Sequence, residues 1–148
     1  ELKQRYDWLI LFDVLEHLED PEAFLQSSLF HLKKGGRIAI NVPAAPWLFS
    51  RYDSAAGHLR RYTASTLRKL ITIVGLNVVN LSYWGAPFLP ILAVRKYMLK
   101  LVQDDRVIRT GFAPPSQLGN QLGEVLGQCE WIPQKIAGAS VMAIASNV

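Results

Sequence analysis

Two groups of side chains in this sequence have types and spacings that could do chemistry. The first is Asp13, Glu16 and His17, which follow directly on the apolar run Trp8-Leu9-Ile10-Leu11-Phe12. Carboxylates and an imidazole this close together can accept a proton or hold a polar ligand. The second is His58, Arg60, Arg61 and Tyr62, where an arginine fork suits an acidic or phosphate-bearing group. His17 and His58 are the candidate general bases. Each group also has a plainer reading. Glu16 and His17 could cap and satisfy a helix end. Arg60 or Arg61 could pair with Asp53 in a salt-bridged loop, and at least one of the two arginines is read as structural. Asn41 and Pro43 are candidate pocket-wall residues by their place at a strand end.

Other chemistries find less support. The sequence has no Gly-x-Ser-x-Gly elbow and no phosphate-binding P-loop. Its three histidines and one cysteine are scattered along the chain, so no metal site is expected. Trp47, Trp84, Trp131 and the tyrosines read as core and not as a stacking platform for bases. The 148 residues carry 16 Lys and Arg against 12 Asp and Glu, a net charge of +4. That excess is too mild to argue for nucleic acid. The lone Cys129 permits no internal disulfide, reads as buried filler, and suits a reducing, cytoplasmic setting. No apolar leader is visible in Glu1-Leu2-Lys3-Gln4-Arg5.

The elements that must position these groups follow from the apolar pattern. The run Trp8 to Phe12 is too continuous for a strand with one wet face and predicts a parallel strand buried on both faces. Ligands of open α/β sheets bind at the carboxyl ends of such strands, which is where Asp13, Glu16 and His17 fall. Asp20, Pro21 and Glu22 open a helix expected over about 21–33, with Gly35 as its left-handed stop. Arg37 to Val42 predicts a second strand, ended by Pro43. Residues 43–62 read as a long connection of the kind that is functional or mobile. Thr63 caps a second helix with the stripe Leu67, Leu70, Ile71 and Val74, and Gly75 ends it. Leu76–Tyr83 and Ser140–Ala145 predict two further strands. Between them, a helix over about 90–102 carries Arg95, Lys96 and Lys100 and would lie on the protein or at a membrane surface. Residues 103–120 read as a variable loop, and a weak helix is expected over about 116–128.

Taken in order, these residues resemble a family. Tyr6-Asp7 to Asp13-Val14-Leu15-Glu16-His17, then Leu32-Lys33-Lys34-Gly35-Gly36-Arg37 leading into Ile40-Asn41-Val42-Pro43, is similar to the second half of class I S-adenosylmethionine-dependent methyltransferases. Gly57-His58-Leu59-Arg60-Arg61-Tyr62 resembles a signature of the branch that modifies small molecules and lipids, and Gly138-Ala139-Ser140-Val141 is similar to the start of the family's last strand. The resemblance implies a Rossmann-like α/β sheet, mostly parallel with an antiparallel last strand, in the order 4-5-7-6. It implies one domain over 1–148, with 84–128 as a variable helical insertion. The family's glycine-rich turn and its first three strands are not in this chain, so the chain reads as the C-terminal portion of the domain. The rest would have been cleaved, not included, or carried on another polypeptide.

The resemblance further implies S-adenosylmethionine as cofactor, lined by Phe12, Asp13, Val14 and Leu15. Glu16, Asn41, Arg60, Arg61 and Tyr62 would face a small-molecule or lipid-linked acceptor. Peripheral membrane contact, and self-association through an exposed strand edge, are the partner expectations. Two alternatives stay open. One is a non-catalytic fragment or interaction domain with this fold; the other is the back half of a nicotinamide-dependent enzyme. The methyltransferase reading is tied here to the Trp8–Phe12 strand being dry on both faces.

Overall fold

A computed structural model describes residues 3–101, 107, 117–129 and 135–147. Among these residues four strands form one sheet: β1 (Tyr6–Phe12), β2 (Leu32–Pro43), β3 (Asn77–Trp84) and β4 (Ser140–Ser146), in the order β1-β2-β4-β3. β1 and β2 are parallel, and β4 runs antiparallel to both β2 and β3. Three strands therefore point the same way and the last is reversed, the expected 4-5-7-6 arrangement.

The sheet's two faces differ because side chains alternate along each strand. Leu9 and Leu11 of β1 lie beside Ile38 and Ile40 of β2, which lie beside Ala145 and Ala143 of β4. Helices α1 (Pro21–Leu29) and α3 (Ala64–Ile73) cover this face with Leu25, Leu67 and Ile71, all fully buried. Both helices start on side-chain caps. Asp20 Oδ1 accepts from the Ala23 amide at 2.9 Å, and Thr63 Oγ1 accepts from the Thr66 amide at 3.1 Å.

The opposite face of β1 is not covered. Trp8, Ile10 and Phe12 are 45%, 64% and 50% exposed, so the strand is wet on one flank and the expectation of double burial is corrected. The physical reason is that α1 and α3 both sit on the Leu9–Leu11 side. The guanidinium of Arg37 lies over the Trp8 ring, 5.7 Å from its centroid, as partial cover.

Smaller expectations are also revised. Helix α1 stops at Leu29 and not near residue 33, because Leu32 is drawn into β2 opposite Tyr6 and Lys33 pairs with Asp7 at 2.9 Å. Gly35 does take a left-handed φ of 72°, but within β2, where its amide donates to Asn147 O. The connection 43–62 is not bare loop; it contains a 3₁₀ turn (Pro46–Leu48) and the short helix α2 (Arg51–Ala55). Trp47 and Trp84 are surface residues, 58% and 45% exposed, and Cys129 is exposed rather than buried filler, just past the end of α5 (Gln117–Gln128). Trp131 lies outside the described residues, as does most of the stretch read as a variable loop. Helix α4 (Leu89–Leu99) forms where expected. No helix among the described residues is long and apolar enough to cross a membrane.

Candidate functional site

The site is built where the parallel strands end. Phe12 closes β1, and Asp13 turns the chain out of the sheet at φ 54°, a left-handed conformation that aspartate tolerates better than most residues. Asn41 fixes this turn twice: its carbonyl accepts from the Asp13 amide at 2.9 Å, and its Nδ2 donates to Asp13 Oδ1 at 3.2 Å. Trp84 Nε1, at the end of β3, donates to Asn41 Oδ1 at 2.9 Å. Asp13, Asn41 and Trp84 thus form a hydrogen-bonded line across the strand ends. Sequence reasoning missed Trp84, whose signal was its place at the close of a strand.

A 3₁₀ turn over Leu15–His17 follows. Leu15 points into the core and is fully buried. Its carbonyl accepts from Tyr62 Oη at 3.1 Å. Glu16 is also fully buried, and neither of its carboxylate oxygens has a hydrogen-bond partner of good geometry. Burial pushes its carboxyl above the usual range. Its own backbone amide offsets part of this, Asp13 adds to it, and His17 and Arg61 pull the other way. His17 is exposed, and its Nδ1 lies 3.1 Å from Gly57 O.

The loop that brings Gly57 and His58 here is wired through Asp53. This fully buried carboxylate accepts at Oδ1 from Arg61 Nε (2.7 Å) and faces His58 Nδ1 there (3.3 Å); at Oδ2 it accepts from the Ser50 amide (2.8 Å) and hydroxyl (2.9 Å). Burial alone would raise its carboxyl, but the hydrogen bond and charge of Arg61 and the two bonds from Ser50 outweigh that and hold it below the usual range. The loop is then tied to the β1 end: the Leu59 amide donates to Glu16 O at 2.8 Å, and Arg60 donates to Glu19 O at 3.1 Å.

The histidines scattered in sequence are therefore not scattered in space. His17 and His58 stack edge-on with ring centroids 4.7 Å apart. Ligand-capable atoms of Glu16, His17 and His58 all lie within 4.8 Å of one another. The structure brings these three together beside the Asp13–Asn41 pair. It places Arg61 and Tyr62 differently from a pocket-facing pair. Arg61 is spent on Asp53 and on Ala44 O (3.1 Å), and Tyr62 is buried against Leu15. Arg60 is half-buried, and Pro43 is half-buried at the end of β2. A shallow, mostly apolar cleft of about 170 Å³ is lined in part by Ala45, Trp47, Thr63, Tyr83 and Gly138.

A family described as "Methyltransferase domain" matches residues 1–81 of this sequence. No functionally curated protein matches it. Solved structures share the fold at low identity. A SAM-dependent methyltransferase from Archaeoglobus fulgidus is 18% identical with a TM-score of 0.52, over 98% of this chain and 61% of that one. Phosphoethanolamine N-methyltransferase 2 of Haemonchus contortus, solved with S-adenosyl-L-methionine, is 15% identical with a TM-score of 0.53, over 98% of this chain and 34% of that one. The [4+2]-cyclase SpnF is 12% identical with a TM-score of 0.55, over 99% of this chain and 52% of that one. The chain spans between about a third and three-fifths of the length of these three. A cyclase among them means that activity has to be argued from the site and not from the sheet.

Proposed function

Because this chain belongs to the methyltransferase-domain family, we propose that it serves S-adenosylmethionine-dependent methyl transfer to a small-molecule or lipid-linked acceptor. The single observation that carries this reading is the convergence of Asp13, Glu16, His17 and His58 at the carboxyl ends of the parallel strands.

Methyl transfer from a sulfonium is an in-line displacement, so the protein's task is alignment and exclusion of water. On this reading the cofactor lies against Phe12, Asp13 and Val14, with the Asp13 turn held rigid by Asn41 and Trp84. Leu15 contributes through the backbone alone, since its side chain belongs to the core. The acceptor enters on the His17–His58 side. Because Gly57 O can only accept, the His17 contact places the ring proton on Nδ1 and leaves Nε2 free to take a proton from an acceptor hydroxyl or ammonium. Glu16 and Asn41 shape the pocket, and Arg60 is the cation best placed to meet an acidic group. Arg61 and Tyr62 act by holding the loop.

A lipid-linked acceptor is favoured by α4 and the residues just after it. Ile91, Val94, Met98 and Leu101 are exposed at a spacing that puts them on one stripe. Its basic residues Arg95 and Lys96 face inward, Arg95 over the Tyr52 ring and Lys96 donating to Trp47 O. The second reading is an interaction module without catalysis, favoured by the open flank of Trp8, Ile10 and Phe12.

Calorimetry with S-adenosylhomocysteine separates the two. Saturable binding by this chain, weakened by Asp13→Ala, is the expected result. A chain that binds no S-adenosylhomocysteine would leave the interaction module standing.

A further inference from the structure

Glu16 poses a chemical problem that the methyl-transfer reading leaves unanswered. Its carboxylate is fully buried, and its two oxygens are the buried side-chain polar atoms without a hydrogen-bond partner among the described residues. An ionised carboxylate left in that state costs several kcal/mol (order of magnitude), and a neutral one still strands a donor and an acceptor. Arg61 does not solve this, because its Nε and one terminal nitrogen are committed to Asp53 and Ala44 O.

Two imidazoles, His17 and His58, come close to Glu16, and both are oriented from behind. His17 Nδ1 donates to the carbonyl of Gly57 at 3.1 Å. His58 Nδ1 lies 3.3 Å from the Asp53 carboxylate, which the Arg61 and Ser50 bonds keep ionised and accepting. A proton held at Nδ1 on each ring leaves Nε2 as a bare lone pair. Imidazoles that ligate metals are commonly held this way, by a carbonyl or carboxylate on the far nitrogen. Gly57 is part of the device: its φ of +81° is a conformation side-chain-bearing residues rarely adopt, and it turns the carbonyl toward His17.

We propose that Glu16, His17 and His58 form a binding site for one divalent late first-row metal ion, zinc being the best match. Two neutral imidazoles and one carboxylate are a borderline donor set of the kind that holds catalytic zinc with a position left open. One ligand-capable atom of each of the three residues lies within 4.8 Å of those of the other two. A tetrahedral ion with bonds of about 2.0–2.1 Å spaces its donors at roughly 3.4 Å, so the three side chains must close in on the ion as it binds. The ion supplies the charge that Glu16 lacks. Its open position takes water or an oxygen of the acceptor. The site itself stands apart from the methyl-transfer reading, and only that last role rests on it.

The test uses the full chain, freed of metal with a chelator and titrated calorimetrically with zinc chloride. One ion per chain is expected, together with a zinc-dependent rise in melting temperature. Glu16→Gln, His17→Gln and His58→Ala should each weaken binding at least about tenfold. His17 is exposed, so His17→Gln keeps the result readable even where His58→Ala unfolds. Without metal, Glu16→Gln should melt at or above the parent, since it removes a buried unpaired charge. His31→Ala and Cys129→Ser should bind as the parent does. Absence of binding, or binding that survives both Glu16→Gln and His17→Gln, overturns the site. S-adenosylhomocysteine titrations run alongside keep the two readings apart. Zinc bound without the nucleoside leaves the site standing and removes the methyl-transfer role; the converse removes the site alone.

Discussion

Residues 50–62 and the outer flank of β1 lie at opposite extremes of how this chain treats its side chains. In the loop, a buried carboxylate organises everything: Asp53 gathers Arg61, Ser50 and His58, and the backbone of Leu59 reaches across to Glu16. On the flank, Trp8, Ile10 and Phe12 carry large apolar surface into solvent, with the guanidinium of Arg37 over the Trp8 ring. Directional bonds fix positions, which chemistry needs. Apolar contact is non-directional, so an uncovered apolar flank stores binding free energy without fixing a geometry.

The largest effect should come from cutting the loop at its centre. Arg61→Ala leaves Asp53 charged and buried with no cation, a change expected to cost about 3–5 kcal/mol in urea unfolding. Arg61→Lys should recover only part, because a lysine cannot reach both Asp53 and Ala44 O with the same planar fork. The same carboxylate gives the stability an acid limb. Its folded-state pKa is depressed, so its contribution is full above the unfolded value of about 4 and is lost as pH falls through the folded value. Asp53→Asn should flatten that limb, and an unchanged acid limb would mean other carboxylates set it.

On the covered face of the sheet, Ile40→Ala should cost about 2–5 kcal/mol, since Ile40 is fully buried between β1, β4 and the helices. Tyr62→Phe comes next, at about 1–3 kcal/mol, because it strands the Leu15 carbonyl in the core while leaving the ring in place. A loss of hydrogen-exchange protection confined to the Leu15–His17 turn after β1 would place the effect at that tie.

How far these features could be read from the sequence follows the same division. The strands, α1 and α3 announced themselves through period and caps: Asp20 and Thr63 were legible N-caps, and the Leu67–Leu70–Ile71–Val74 stripe gave the helix. Asp13, Glu16 and His17 were legible as strand-end residues. That Arg61 would bind Asp53 was one of the readings left open, since charge and nearness in sequence suffice for it. The closeness of His58 to His17 was not legible, because it depends on a 40-residue excursion that closes through backbone bonds such as Leu59 to Glu16. Burial on both faces was inferred for β1 from a continuous apolar run, and that inference failed at Ile10. The run says that both faces are apolar and nothing about what lies against them. Family membership does not require the dry flank it had been tied to.

The smallest expected effect is on that flank. Ile10 and Ile40 sit on neighbouring parallel strands, yet Ile10 is 64% exposed and Ile40 is fully buried. Ile10→Ala removes atoms that are already in water, so it should change stability by no more than about 0.5 kcal/mol, against several for Ile40→Ala. Both variants should be unfolded across a range of protein concentrations. If the cost of Ile10→Ala grows with concentration toward that of Ile40→Ala, something covers the flank in solution, and the contrast between the two faces of β1 belongs to the isolated chain alone. If it stays small throughout, Trp8, Ile10 and Phe12 are solvent-facing in the folded chain, and their apolar surface adds neither to folding nor to self-association over that range.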